Sequence, residues 1–159
     1  MKWLTAEGYE VRDSTPREDI ELDLDFHFRK HKRLFTSASL KTNHPRYYDS
    51  PFVFEQQQIR RGRVEDSWWR TGKAQVYFYL KRNFSGGGRL WLIDKGEVMS
   101  YVERHGWDAE NVGISDERLK VQALNNMGNS NLSMLLQSTV INKELGCVLF
   151  ETDDLRRYL

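Results

Sequence analysis

Residues 19–29 read DIELDLDFHFR, and they alternate strictly. Ile20, Leu22, Leu24, Phe26 and Phe28 fall on one side; Glu21, Asp23, Asp25 and His27 fall on the other. Period two over this length is the mark of a β-strand with one buried face. A polar turn, His31-Lys32-Arg33, follows, and residues 34–42 (LFTSASLKT) return as a second strand antiparallel to the first. In that hairpin Asp25 and Lys41 are expected to share a face. Asn43-His44-Pro45 ends it, because proline cannot continue a central ladder and restrains the residue before it.

Upstream, residues 2–7 read as a short helix stopped by Gly8. Downstream, residues 52–59 (FVFEQQQI), 76–80 (VYFYL) and 89–93 (RLWLI) read as strands, with Ser85-Gly86-Gly87-Gly88 as the turn between the last two. Asp94 caps a helix that runs to Arg104 with Val98, Tyr101 and Val102 facing inward; Gly106 is its stop and residues 107–118 a loop. Residues 119–149 are ambiguous. Leu132, Leu135, Leu136 and Val140 suit a helical stripe, the asparagines around Gly128 a turn, and residues 146–150 a short strand that buries the Cys147 thiol. Thr152-Asp153-Asp154 opens a last helix over residues 155–159. The expected fold class is α/β, a mixed central β-sheet with flanking helices.

The 159 residues suit a single domain. A hydrophobic fraction of 39%, with 8 Phe, 7 Tyr and 5 Trp, supports a packed core and excludes wholesale disorder. Lys and Arg total 24 against 23 Asp and Glu, so bulk positive charge is excluded as the basis of nucleic-acid binding. A lone cysteine excludes a disulfide framework and a thiolate-rich zinc site. No stretch approaches the roughly 18 apolar residues of a membrane span. The opening MKWLTAEGYEVRD continues into acids instead of an apolar run, unlike a secretory signal, so the expected compartment is the cytoplasm.

The near-neutral total hides a segregation. Residues 1–25 carry eight acids and three bases, whereas residues 26–48 carry six bases (Arg29, Lys30, Lys32, Arg33, Lys41, Arg46), three histidines and no acid. Arg60, Arg61 and Arg63 add a second basic knot, and together these are expected to form one positive surface. Carboxylates can hold a hard cation and Lys/Arg a polyanion, the two halves of a metal-and-phosphate site. On a strand, Glu21, Asp23 and Asp25 would stand in a row that needs water or a cation to relieve its repulsion. The alternative is an exposed face with cross-strand ion pairs, each worth roughly 0–1 kcal/mol.

The order of segments adds a resemblance. Gly8-Tyr9-x-Val11 follows a short helix, Asp23-Leu24-Asp25-Phe26 lies on a strand, and Leu40-Lys41-Thr42 closes the next. Phe52-Val53-Phe54-Glu55, Trp68-Trp69, Val76-Tyr77-Phe78-Tyr79 and Trp91-Leu92-Ile93 follow in turn. Over residues 1–105 this resembles the PD-(D/E)XK nuclease superfamily, particularly its small phage and mobile-element members. The resemblance implies a restriction-endonuclease-like core over 1–105, with residues 106–159 as an extension packed on it.

It also implies Mg²⁺ or Mn²⁺ held by Asp25, with Lys41 as the motif lysine that assists water attack. The position two before that lysine carries Ser39 where the family has a carboxylate, so Asp23 or Glu55 is the candidate second ligand. Arg29, Lys30, Lys32, Arg33, Arg46, Arg60, Arg61 and Arg63 are the candidate phosphate contacts on DNA. Two functions stay open: a metal-dependent DNA nuclease, in which a homodimer would serve to cut two strands, or a nuclease-fold protein without catalysis that binds nucleic acid or inhibits a host protein. Trp68 and Trp69 are expected in the core. The glycine run lacks the Lys-Ser/Thr of a P-loop, Ser39 lacks the flanking glycines of a nucleophile elbow, and His27, His31 and His44 lack zinc-hydrolase spacing.

Overall fold

Thr15-Pro16-Arg17-Glu18 is a helix start, and it overrides the alternation that follows it. In the computed structural model, which describes residues 2–60, 63–104, 119–126, 129–136 and 138–158, helix α2 spans Pro16–Leu22. The Glu18 amide donates to Thr15 Oγ1 at 3.2 Å and the Thr15 amide donates to Glu18 Oε2 at 2.9 Å, a reciprocal capping box. Pro16 supplies a first-turn φ, and Arg17 pairs with Glu21 at 2.9 Å one turn on. Residues 19–22 are therefore not a strand. Ile20 is 82% exposed, so the alternation there does not record a buried face. Asp23 ends the helix in the left-handed region, φ 54°, and only from Phe26 does the chain become a strand.

Helix α1 (Lys2–Ala6) and Gly8, at φ 80°, lead into β1 (Tyr9–Asp13). Strand β2 (Phe26–Lys30) pairs antiparallel with β1 and with β3 (Thr36–Thr42), Phe26 standing opposite Ala38. The expected hairpin is present, but its first strand starts at Phe26 instead of Asp19 and its second at Thr36 instead of Leu34. Strand β6 (Val76–Arg82) then lies parallel to β3, with Ser39 opposite Tyr77 and Lys41 opposite Tyr79. Strands β7 (Gly88–Asp94) and β10 (Gly146–Thr152) complete a six-stranded mixed sheet in the order β1-β2-β3-β6-β7-β10.

The connection from β3 to β6 is not a helix. It carries β4 (Phe52–Arg60), β5 (Arg63–Asp66) and the short helix α3 (Trp68–Thr71). Strand β4 pairs with β5 on one side and with β9 (Asn129–Leu136) on the other; β8 (Leu119–Asn126) closes this four-stranded antiparallel sheet. The helical stripe expected through Leu132, Leu135 and Leu136 is thus a strand, since pairing along β4 satisfies its backbone. Asn126 and Asn129 face each other across the expected turn, whose residues 127–128 lie outside the described residues. So do Gly106 and the 107–118 loop.

Each face of the six-stranded sheet has its own core. Helix α4 (Lys95–Arg104) brings Val98, Tyr101 and Val102 onto one face, as expected, beside Tyr77, Tyr79, Trp91 and Ile93. Phe52, Phe54 and Leu136 of the second sheet join them, with Trp69, while Trp68 packs at the edge. The opposite face gathers Leu4, Phe26, Ala38, Phe78, Leu80, Leu90 and Leu155. Helix α5 (Ser138–Val140) continues as a π-turn through Ile141–Leu145 into β10, and the chain closes on a 3₁₀ turn, Leu155–Arg157, capped by Asp154. Cys147 is exposed, correcting its expected burial: β10 is the edge strand, so an apolar run there lacks cover on both faces. Among the described residues no helix is long and apolar enough to cross a membrane.

One buried charge has a measurable signature. Lys81, 1% exposed on β6, holds its ammonium 4.1 Å from the Phe52 ring centre and 5.6 Å from that of Trp91, and donates to the Ser50 carbonyl. Burial lowers its pKa to about 8 from the ordinary lysine value of 10.5, with the Arg89 cation adding to the shift. The native state therefore sheds a proton before the unfolded chain does. Stability should rise with pH from about 8 to 10.5, by about 1.4 kcal/mol per unit and roughly 3 kcal/mol in all. Urea unfolding of wild type and Lys81→Met at pH 7.5, 9 and 10 checks this. Parallel pH profiles for the two proteins would overturn it.

Candidate functional site

The corner between α2 and β2 delivers two carboxylates to the same patch of β3. Asp25 precedes β2, with its amide donating to the Ala38 carbonyl at 3.0 Å. Its Oδ2 accepts from Ser39 Oγ at 2.9 Å and from the Leu40 amide at 2.5 Å. Asp23, held in place by the left-handed turn, puts Oδ2 at 3.5 Å from the same Ser39 hydroxyl. The Lys41 ammonium donates to both Asp23 oxygens, at 2.7 and 2.8 Å. Asp23, Asp25, Ser39 and Lys41 are thereby brought together. The pairing differs from the expected one, because Lys41 meets Asp23 and Asp25 is held by β3's backbone. Glu21 belongs to the exposed face of α2 with Arg17 and takes no part.

Three features missed by sequence reasoning wall this cluster. The Trp68 ring centre lies 4.7 Å from Lys41 Nζ. Tyr77, fully buried, sets its ring edge to Trp68 at 5.2 Å, and its hydroxyl has no hydrogen-bond partner among the described residues. Gly72 is the third: a Cβ there would stand 2.5 Å from the Trp68 carbonyl oxygen, 3.1 Å from Asp23 Oδ2 and 3.2 Å from the Tyr77 hydroxyl. The close approach of Asp23 and Tyr77 to the backbone at Gly72 thus depends on a missing side chain. Lys95 Nζ donates to the Gly72 carbonyl at 2.7 Å and adds a second cation behind it. A signal for Tyr77 was present: Tyr77, Tyr79 and Lys81 place polar heads at i, i+2 and i+4 of an otherwise apolar strand.

The electrostatics favour an added cation. Burial raises the Asp23 pKa, and the neighbouring Asp25 charge raises it further, against the opposing pull of Lys41. Tyr77 is pushed up by burial and by the Asp23 carboxylate. Lys95 is lowered by burial and by Lys73. A carboxylate pair only partly neutralised by one lysine is the donor chemistry a hard divalent ion takes, and Mg²⁺ commonly uses one or two carboxylates plus water and substrate phosphate. Asp23 and Asp25 fit that requirement. Glu55 does not join them: it accepts from Ser67 Oγ on the second sheet, and among the described residues no three His, Cys, Asp or Glu side chains form a metal-binding group.

The expected positive surface is divided. Arg29, Lys30, Lys32 and Arg33 lie at the hairpin end of β2, one strand length from Asp25. Arg29 is tied to Glu10 at 2.7 Å and stacked on Phe35, and Lys30 lies over Tyr9. Lys32 and Arg33 are exposed. Arg46 follows the opposite end of β3, its guanidinium over Tyr47, and Arg63 is exposed on β5. Arg60 closes β4, while Arg61 lies outside the described residues. Strand β3 puts the bases of residues 29–33 and Arg46 at its opposite ends, while Arg60 and Arg63 stand opposite each other in the other sheet. His27 is 8% exposed and sits 3.1 Å from Glu18, bracing α2. No family model matches the chain, and neither a curated protein nor a solved structure matches it.

Proposed function

We propose that the chain is a metal-dependent nuclease of the PD-(D/E)XK kind, hydrolysing DNA phosphodiester bonds. The observation that carries this reading is the convergence of Asp25, Ser39 and Lys41 across β2 and β3, with Asp23 beside Ser39, where the family's motif carboxylate is absent. Asp23 and Asp25 would hold Mg²⁺ or Mn²⁺, which supplies charge for the phosphate and acidifies a bound water. Lys41, whose ammonium reaches this same acid pair, would orient water and face the negative charge that develops at phosphorus. Water oxygen would bond to phosphorus as the ester P–O bond breaks, and the proton that the water gives up would end on the departing oxygen. Trp68 and Tyr77 keep bulk water from the rear of the site. The finer fold assignment, restriction-endonuclease-like, rests on the same adjacency within the mixed sheet.

Ser39 favours a second reading. Without a carboxylate at that position, the fold would serve binding alone, to nucleic acid or to a host protein. A titration of Mg²⁺ and Mn²⁺ against purified protein with nicked, linear and branched DNA decides between them. Cleavage should appear with either ion and vanish with chelator. Absence of cleavage on all three substrates with both ions would overturn the nuclease reading and leave the binding one.

A further inference from the structure

A cleft opens past the ends of β3 and β6, and Pro45, four residues beyond Lys41 in sequence, is part of its wall. It has a volume of about 620 Å³ and is lined by Pro45, Arg82, Phe84, Gly86, Leu155 and Arg156. Phe84 is 78% exposed on the β6–β7 turn, a position where burial cannot account for a large apolar ring. Its one ring neighbour among the described residues is His44, edge-on at 6.1 Å; His44 in turn meets Tyr47 edge-on at 6.4 Å. Tyr47 is half exposed and lies under the Arg46 guanidinium at 5.6 Å.

Arg82 and Arg156 line the cleft, and Arg46 follows its Pro45 in sequence. Among the described residues neither Arg46 nor Arg82 pairs with a carboxylate, and Asp154 is shared between Arg156 at 2.8 Å and Arg157 at 3.6 Å. Exposed ring faces beside unneutralised guanidinium groups suit a ligand with flat apolar bases and regularly spaced negative charge. We infer that the Phe84 cleft binds single-stranded nucleic acid, with a base stacked on Phe84 and phosphates held by Arg82 and Arg46. This deepens the nuclease reading, on which its role as a substrate-strand guide rests, while the binding itself needs neither metal nor cleavage.

Fluorescence anisotropy with a labelled 15-mer of thymidylate, in chelator, tests it. Wild type should bind, and Phe84→Ala should weaken binding by at least about fivefold, the lower end of what one stacked base contributes. Arg82→Gln should reduce the salt dependence by about 0.7 log units per log unit, the share of one phosphate on a single strand. Thymidine monophosphate should compete poorly. No oligonucleotide binding at low salt, or Phe84→Ala binding like wild type, would overturn the inference and turn the cleft toward a protein partner. Competition by the monophosphate as strong as by the 15-mer would also overturn it, in favour of a mononucleotide pocket. Cleavage retained with no effect of Phe84→Ala on binding removes this inference alone; Phe84-dependent binding without cleavage removes the nuclease reading alone.

Discussion

Asp25→Asn is expected to lower metal-dependent DNA cleavage by at least about 100-fold while DNA binding stays level or tightens slightly. Loss of an outer-shell partner of a metal typically costs 10–100-fold, so removal of a ligand should reach at least the upper end. The amide oxygen can still accept from the Leu40 amide, which preserves the local fold, and one negative charge facing phosphates is gone. Lys41→Ala should reduce turnover by roughly 10²–10³, the usual cost of a donor aimed at developing charge. Ser39→Glu separates the two states of the site. If Asp23 already serves as the second ligand, a third carboxylate crowds Ser39's surroundings and activity falls. If the site is degenerate, the new oxygen ligand raises metal affinity and creates activity. Single-turnover cleavage and metal titration of the four proteins read all of these, and an Asp25→Asn variant that cleaves as well as wild type would remove Asp25 from the mechanism.

Trp69→Ala should cost about 3–5 kcal/mol of stability, the range for deleting a large buried aromatic. Trp69 is 2% exposed, with ring centres of Phe54 at 4.7 Å, Tyr77 at 5.5 Å and Trp68 at 6.1 Å, and Lys95 Nζ at 5.3 Å. The cavity left behind would undercut both rings that wall Asp23 and Lys41. Trp69→Phe, which keeps part of the volume, should cost less. Urea unfolding followed by far-UV circular dichroism measures both, and a loss below about 1 kcal/mol for the alanine variant would be incompatible with this packing.

Thr36–Thr42, Val76–Arg82 and Gly88–Asp94 were legible as sequence and lie close to where alternation and composition put them, whereas of the alternating run 19–29 only the end, from Phe26, is strand. The helix Pro16–Leu22 was masked, although Thr15 and Glu18 spell its capping box, because a longer alternating run competes with it. The second sheet was not legible. Residues 52–59 read as a strand, but their partner 129–136 is remote in sequence, and propensity carries no information on such pairing. At the site, the residue set was legible and its geometry was not. Asp23 reaches Lys41 through a left-handed corner rather than along a strand face, and Trp68, Gly72 and Tyr77 arrive from segments that no local pattern links to the acids.

The hairpin lodged between β3 and β6 has a consequence for the order of assembly. During synthesis, β1, β2 and β3 emerge together and can zip as neighbours, carrying Asp23, Asp25, Ser39 and Lys41 already side by side. The parallel partner β6 comes later, and β4 waits longer still, since one of its edges is filled by β9 and that strand is translated some seventy residues afterwards. Contacts of such separation close late, because the entropy of a long loop must be lost before they form. The acid–lysine cluster is thus an early, local product of the chain, whereas the tryptophan and tyrosine that enclose it are assembled around it. A nascent or truncated chain would carry the charges of the site without its walls.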